Sequence, residues 1–93
     1  CSGCHTGIGT TLPGVQNLTN GHTFASVVNV PSIEQPTLDR VKANDPVNSY
    51  LIHKIEGAAG ITGSRMPLGC GSVANPCLDQ ATIDMVKAWI SQA

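Results

Sequence analysis

Flat, bulky side chains are nearly missing from this chain: of its 93 residues one is Trp, one is Tyr and one is Phe. A chain of this length already buries a smaller share of its surface than a larger protein does. The usual aromatic filling of a core is therefore excluded, and although hydrophobic residues reach 41%, apolar bulk has to come from another source. Charge is scarce as well. Charged residues make up 12%, and five basic against six acidic side chains leave a net charge of -1, which excludes the basic surface that nucleic acid requires. No apolar run approaches the roughly 20 residues of a membrane-spanning helix. Neither a repeat nor a leader-like segment is visible, and because residue 1 already belongs to a motif, the expectation is a processed or trimmed chain.

What is abundant is turn chemistry and cysteine. Ten glycines and six prolines point to long loops between few, short helices, a composition suited to wrapping a ligand. Four cysteines fall into two tight pairs, Cys1/Cys4 and Cys70/Cys77, many for a reducing compartment. The first pair stands in Cys1-Ser2-Gly3-Cys4-His5, the C-x-x-C-H pattern of c-type haem attachment. Two thiols on one turn of chain reach the two vinyl groups at one porphyrin edge, and the adjacent imidazole falls beneath the iron as its proximal ligand. Two rivals share these residues. A structural zinc site would use Cys1, Cys4, Cys70 and Cys77 as four thiolates, but it leaves His5 unexplained, and the second pair is spaced more widely than the usual two to four residues. A thioredoxin-like pair would need a strand-helix-strand setting that does not surround the motif.

The other face of the iron decides whether it passes electrons or binds small molecules. Four side chains compete for it: Met66, Met85, His22 and His53. Met66 lies in Gly63-Ser64-Arg65-Met66-Pro67-Leu68-Gly69, where flanking glycines and a proline let a loop fold a thioether over a ring; the alternative is a methionine filling a gap in the core. Met85 is expected in the core, on the Trp89 side of the last helix. His53 is expected within a helix from Pro46 to Glu56, opposite a stripe of Val47, Leu51 and Ile55 and beside solvent or a partner. His22 is expected in a surface loop that opens a short helix to Val28.

Asp45-Pro46 reads as a helix start and Gly57 as its stop. Asp79 caps a last helix to about Ser91, and Thr37 to Ala43 reads as extended chain. Cys70 and Cys77 bracket a stretch without periodicity, so a disulfide is expected there, stiffening the Met66 region by about 2 kcal/mol. On the last helix Ile83, Val86 and Ile90 form one stripe, extended by Ala81, Met85, Ala88 and Trp89. That arc is wider than one packing contact needs and implies a second partner.

The chain resembles, over nearly its whole length, the single-haem, class I-like cytochrome c domains of bacterial exported proteins. The likeness rests on Cys1-Ser2-Gly3-Cys4-His5, Asn29-Val30-Pro31-Ser32, the run from Asp45 to Ile55, Arg65-Met66-Pro67-Leu68-Gly69 and the closing helix with Trp89. It implies an all-α, haem-wrapping fold with long loops over residues 1–93, one covalent haem c, His5 and Met66 as axial ligands, and a one-electron role. Such domains usually carry a helix before the haem motif, and that departure points to a trimmed chain or to another subunit covering the last helix.

The expected function is electron transfer rather than enzyme catalysis, in a periplasmic or extracellular setting. The expected partners are redox proteins, and self-association up to a filament is the bolder version. The alternative is a haem enzyme or a gas or redox sensor whose sixth ligand is displaceable. Weak electrostatic steering follows from the sparse charge, which leaves an apolar docking surface around the haem edge.

Overall fold

A computed structural model describes residues 1–93. It contains three helices, α1 over Thr23–Val27, α2 over Tyr50–Glu56 and α3 over Gln80–Ser91, and the remainder is loop punctuated by isolated bridges. With 26% helix and 8% strand, the fold is loop-rich, and the all-α architecture expected above is corrected. Of 42 backbone hydrogen bonds, 28 lie outside the regular elements, so turns and crossings carry most of the backbone pairing.

The largest shortfall in helix lies at α2. Asp45 does not open a helix at Pro46. Its carboxylate accepts from the Asn48 amide nitrogens, backbone at 3.3 Å and side chain at 2.7 Å, which fixes a turn over 45–48 instead. Those bonds, the Asn48 side chain's first, hold the Asp45 pKa below the ordinary carboxylate value. The helix begins one turn later and ends as expected at Gly57, whose φ of 66° is the left-handed cap that glycine supplies. Val47 therefore lies outside the helix and is exposed. The expected stripe of Val47, Leu51 and Ile55 is replaced by a buried face of Ile52 and Ile55 against the core, with Leu51 half-buried beside it.

α1 stops at Val27 because the chain there turns extended. The Val41 amide donates to Val27 O at 3.0 Å and the Asn29 amide to Val41 O at 2.7 Å. The segment 37–43, expected as extended chain, is only partly so: Asp39 and Val41 form isolated bridges, while residues 37 and 43 lie in turns and 38 and 40 in bends. It lies between residues 28–31 on one side and Ser49 on the other, through the bridges Val28↔Val41, Pro31↔Asp39 and Asp39↔Ser49. Ser49, fully buried, knits this crossing: its Oγ accepts the Lys42 amide and donates to the Asp45 carbonyl, both at 2.8 Å.

α3 matches its sequence expectation in cap and length. Asp79 Oδ1 accepts the Thr82 amide at 2.9 Å, and hydrogen bonding from Thr82 lowers the Asp79 pKa. Ile83 and Ile90 enter the core, with Val86 packed at its edge. Met85 does not. It is 72% exposed, because successive residues 100° apart put it outside the arc that Ile83, Val86 and Ile90 present inward, and its expected place in the core is corrected.

The core is thin. Only ten residues are buried, and its hydrophobic cluster has six members, Val27, Val41, Ile52, Ile55, Ile83 and Ile90. Replacing a side chain there removes a large share of the total: Ile52→Ala is expected to cost about 3 kcal/mol in denaturant unfolding, whereas Met85→Ala changes stability by less than about 0.5 kcal/mol. A second expectation concerns pH. The native pKa values of Asp45 and Asp79 are depressed, so their contribution is complete above the unfolded carboxylate value of about 3.9 and is lost as pH falls through the lower native values. The urea midpoint should drop across that acid range, and Asp79→Asn, which keeps a capping acceptor, should reduce the drop and leave the part due to Asp45.

Candidate functional site: a histidine and a methionine on one apolar cavity

The N-terminal motif is a closed turn. The amides of Cys4 and His5 both donate to the Cys1 carbonyl, at 3.1 and 2.9 Å, so Cys1, Cys4 and His5 are gathered within one turn, as their spacing requires. His5 is tied a second time, its carbonyl accepting the Leu18 amide at 2.9 Å, next to the Thr6↔Asn17 bridge. Residues 6–17 thus form a loop folded back on the motif. Gly14 is required in it, because a Cβ there would strike the Ile8 carbonyl.

The His5 ring is oriented by this loop. Nδ1 lies 2.9 Å from the Pro13 carbonyl, and a carbonyl only accepts, so Nδ1 carries the proton and donates. In the neutral ring that leaves Nε2 as the unprotonated nitrogen. A backbone carbonyl holding one ring nitrogen so that the other is free to ligate is the usual support of a metal-binding histidine.

His5 and Met66 line the same cavity of about 280 Å³, whose wall also includes Cys1, Leu12, Pro13, Leu51 and Leu68. A second, more open hollow of about 550 Å³ adjoins it and shares Cys1, Leu18, Leu51 and Ile55 with it, while Phe24, Val86 and Trp89 form its far side. Both are walled mainly by apolar residues and are of the size range that holds a small molecule or cofactor. Met66 lines the smaller hollow and also packs against the edge of the core. Its amide donates to the Lys54 carbonyl at 2.9 Å.

The other candidates lie elsewhere. His22 is exposed at the start of α1, its Nδ1 donating to the Asn20 carbonyl at 3.1 Å. His53 is half-buried rather than free on a solvent face, because its Nε2 donates to the Val47 carbonyl at 2.7 Å and its ring meets Tyr50 edge-on. Neither they nor Met85 lines either hollow.

Cys70 and Cys77 form the expected disulfide, seven residues apart, while Cys1 and Cys4 are exposed free thiols. Two of the four sulfurs that a zinc tetrahedron would need are therefore bonded to each other, and the zinc reading falls.

Apart from His5, the sequence did not single out the polar residues of the cavity: Gln16, Ser32, Glu34, Arg40, Tyr50 and Lys54. Tyr50 and Lys54 stand four apart on α2 and so share a face, a spacing legible in advance. Arg40 and Glu34 arrive from irregular chain with no local periodicity. Arg40 donates to the Ser26 carbonyl at 2.8 Å, and partial burial lowers its pKa, although a guanidinium remains a cation. Lys54, 7% exposed, pairs with Glu34 at 3.1 Å. In a chain with so few charges, those in apolar surroundings were the signal to follow.

No family model matches the chain, no curated protein matches it, and no solved structure matches it. No helix is long and apolar enough to cross a membrane. The chemistry of the site rests on its own residues.

The disulfide lies between the Met66 loop and α3, so Cys70→Ser/Cys77→Ser is expected to lower unfolding stability by about 2 kcal/mol, measured by guanidinium titration with and without reductant. The reductant should shift the native protein toward the double variant and leave that variant unchanged.

Proposed function

We propose that the chain is an electron-transfer c-type cytochrome holding one haem c through Cys1 and Cys4, with His5 and Met66 as axial ligands. The observation that carries this reading is the pairing of an oriented imidazole with a thioether on one apolar cavity, beside two free thiols at C-x-x-C-H spacing. The donor set fits the group: each thiol adds its S–H across one vinyl double bond, a neutral imidazole with Nε2 unprotonated suits iron, and apolar walls suit the porphyrin faces. When bound, the haem supplies a ferric/ferrous couple, and a histidine–methionine pair biases it toward the ferrous form.

The chain's own residues do the rest. Pro13 holds the His5 ring, the α2 carbonyl at Lys54 holds Met66, and Leu12, Ile33 and Leu68, partly exposed along the cavity wall, limit water and offer an apolar rim to a redox partner. With only weak long-range charge, docking relies on this short-range contact. The disulfide fits an oxidising compartment, periplasmic or extracellular. The alternative enzyme reading loses its imidazoles, since neither His22 nor His53 borders the cavity.

The test is spectroscopic. The protein matured with haem should show a ferric thioether-to-iron absorption and should not bind carbon monoxide when reduced. Met66→Ala should abolish that absorption, admit carbon monoxide rapidly, and lower the potential within the ~0.8 V range that axial ligands span, whereas Met85→Ala should change none of these. Wild-type protein that binds carbon monoxide as fast as Met66→Ala would refute the assignment.

A further inference from the structure

Residues 62–66 reach the cavity as a loop with no regular structure of its own, yet four hydrogen bonds fasten it to α2. The Met66 amide donates to the Lys54 carbonyl at 2.9 Å. Lys54 Nζ donates to the Thr62 carbonyl at 2.8 Å. The Thr62 amide donates to Tyr50 Oη at 2.9 Å, and Arg65 Nε donates to the Ile55 carbonyl at 3.1 Å. Lys54 is thus the one residue that grips the loop at both ends, its main chain at Met66 and its ammonium at Thr62.

The ammonium is itself held. Glu34 Oε1 lies 3.1 Å from Lys54 Nζ and accepts from Tyr50 Oη at the same distance. An ammonium this buried would be costly alone, and the carboxylate partner offsets that cost and aims it. Glu34, Tyr50 and Thr62 therefore form a closed set around one cation, and no buried side-chain polar atom is left without a partner.

From this we infer that Lys54 is a positioning residue for Met66: with Glu34 and Tyr50 it forms a polar clamp that holds the thioether at the sixth position of the iron. The inference rests on the haem reading above and adds to it the residues that decide how firmly the ligand stays. Lys54 does not touch the iron. It sets the local equilibrium between a loop with Met66 directed at the cavity and a loop swung away, and one charge-assisted hydrogen bond shifts such an equilibrium by roughly tenfold or more.

The experiment compares haem-loaded wild type, Lys54→Met, Lys54→Arg, Tyr50→Phe and a control, Lys87→Met, which breaks the Lys87–Glu56 pair at 3.1 Å between α3 and α2 and leaves the loop alone. Carbon monoxide binding to the reduced protein, the ferric thioether absorption, and amide hydrogen exchange at Thr62 and Met66 are read in each. Lys54→Met should bind carbon monoxide roughly tenfold faster or more, weaken the absorption, and speed exchange at both amides. Lys54→Arg should restore most of each, and Lys87→Met should behave as wild type. Tyr50→Phe, which keeps the ring and removes only the hydroxyl, should move the same readings in the same direction, and it carries the test if Lys54→Met does not fold. A Met66-ligated wild type whose ligation and exchange are unchanged in these clamp variants would overturn the clamp and leave the haem reading standing. A wild type without Met66 ligation would overturn the haem reading itself.

Discussion

Seven residues of helix, Tyr50–Glu56, have to serve a core, a cavity and a loop at once, and the rest of the structure depends on how they are divided. Ile52 and Ile55 enter the hydrophobic cluster that α3 completes with Ile83 and Ile90. Leu51 and Ile55 border both hollows. Tyr50, Lys54 and Ile55 take up the hydrogen bonds of the Met66 loop. A helix this short has little intrinsic stability, so it is the packing on either side that keeps it formed. Core packing and the placing of Met66 are therefore coupled through the same two turns of backbone.

That coupling explains why so polar a cluster is tolerated in so small a protein. Burying a lysine is unfavourable unless its charge is matched and its protons are placed. Here Glu34 supplies the charge and the Thr62 carbonyl accepts a hydrogen bond from the ammonium. With a six-member apolar cluster there is little hydrophobic packing to hold a loop of 62–66 in place. Directional bonds do what shape complementarity does in a larger core, and they specify one arrangement where packing alone would allow several.

Legibility in the sequence followed the range of the interactions. The haem-type motif, the Asp79 cap, the Gly57 stop and the Cys70–Cys77 bridge all depend on neighbours within a few residues, and the structure places that cap, the stop and the bridge where local chemistry puts them. The start of α2 was misread because Asp45-Pro46 suits both a helix and a turn, and the tertiary crossing of 39–41 with 49–51 selects the turn. Met85 was misread because a wide apolar arc says how much surface is apolar without saying which part is covered. The all-α expectation came from the family resemblance and not from the glycine and proline content, which had pointed to loops. Arg40, Glu34 and the clamp were invisible for a simpler reason. Residues 34, 54 and 62 are brought together only by the fold.

The same contrast of range sets His5 and Met66, the two proposed ligands, apart. His5 is fixed by contacts within its own first turns: the Cys1 carbonyl, the Pro13 carbonyl and the Leu18 amide all lie within thirteen residues of it, and haem thioethers at Cys1 and Cys4 would tether it further. Met66 is fixed by α2, twelve residues earlier, and α2 in turn by the core. Loss of core packing therefore releases the methionine while leaving the histidine in place. On the haem reading proposed above, the fifth ligand is held by its local chain and the sixth by the fold of the whole molecule.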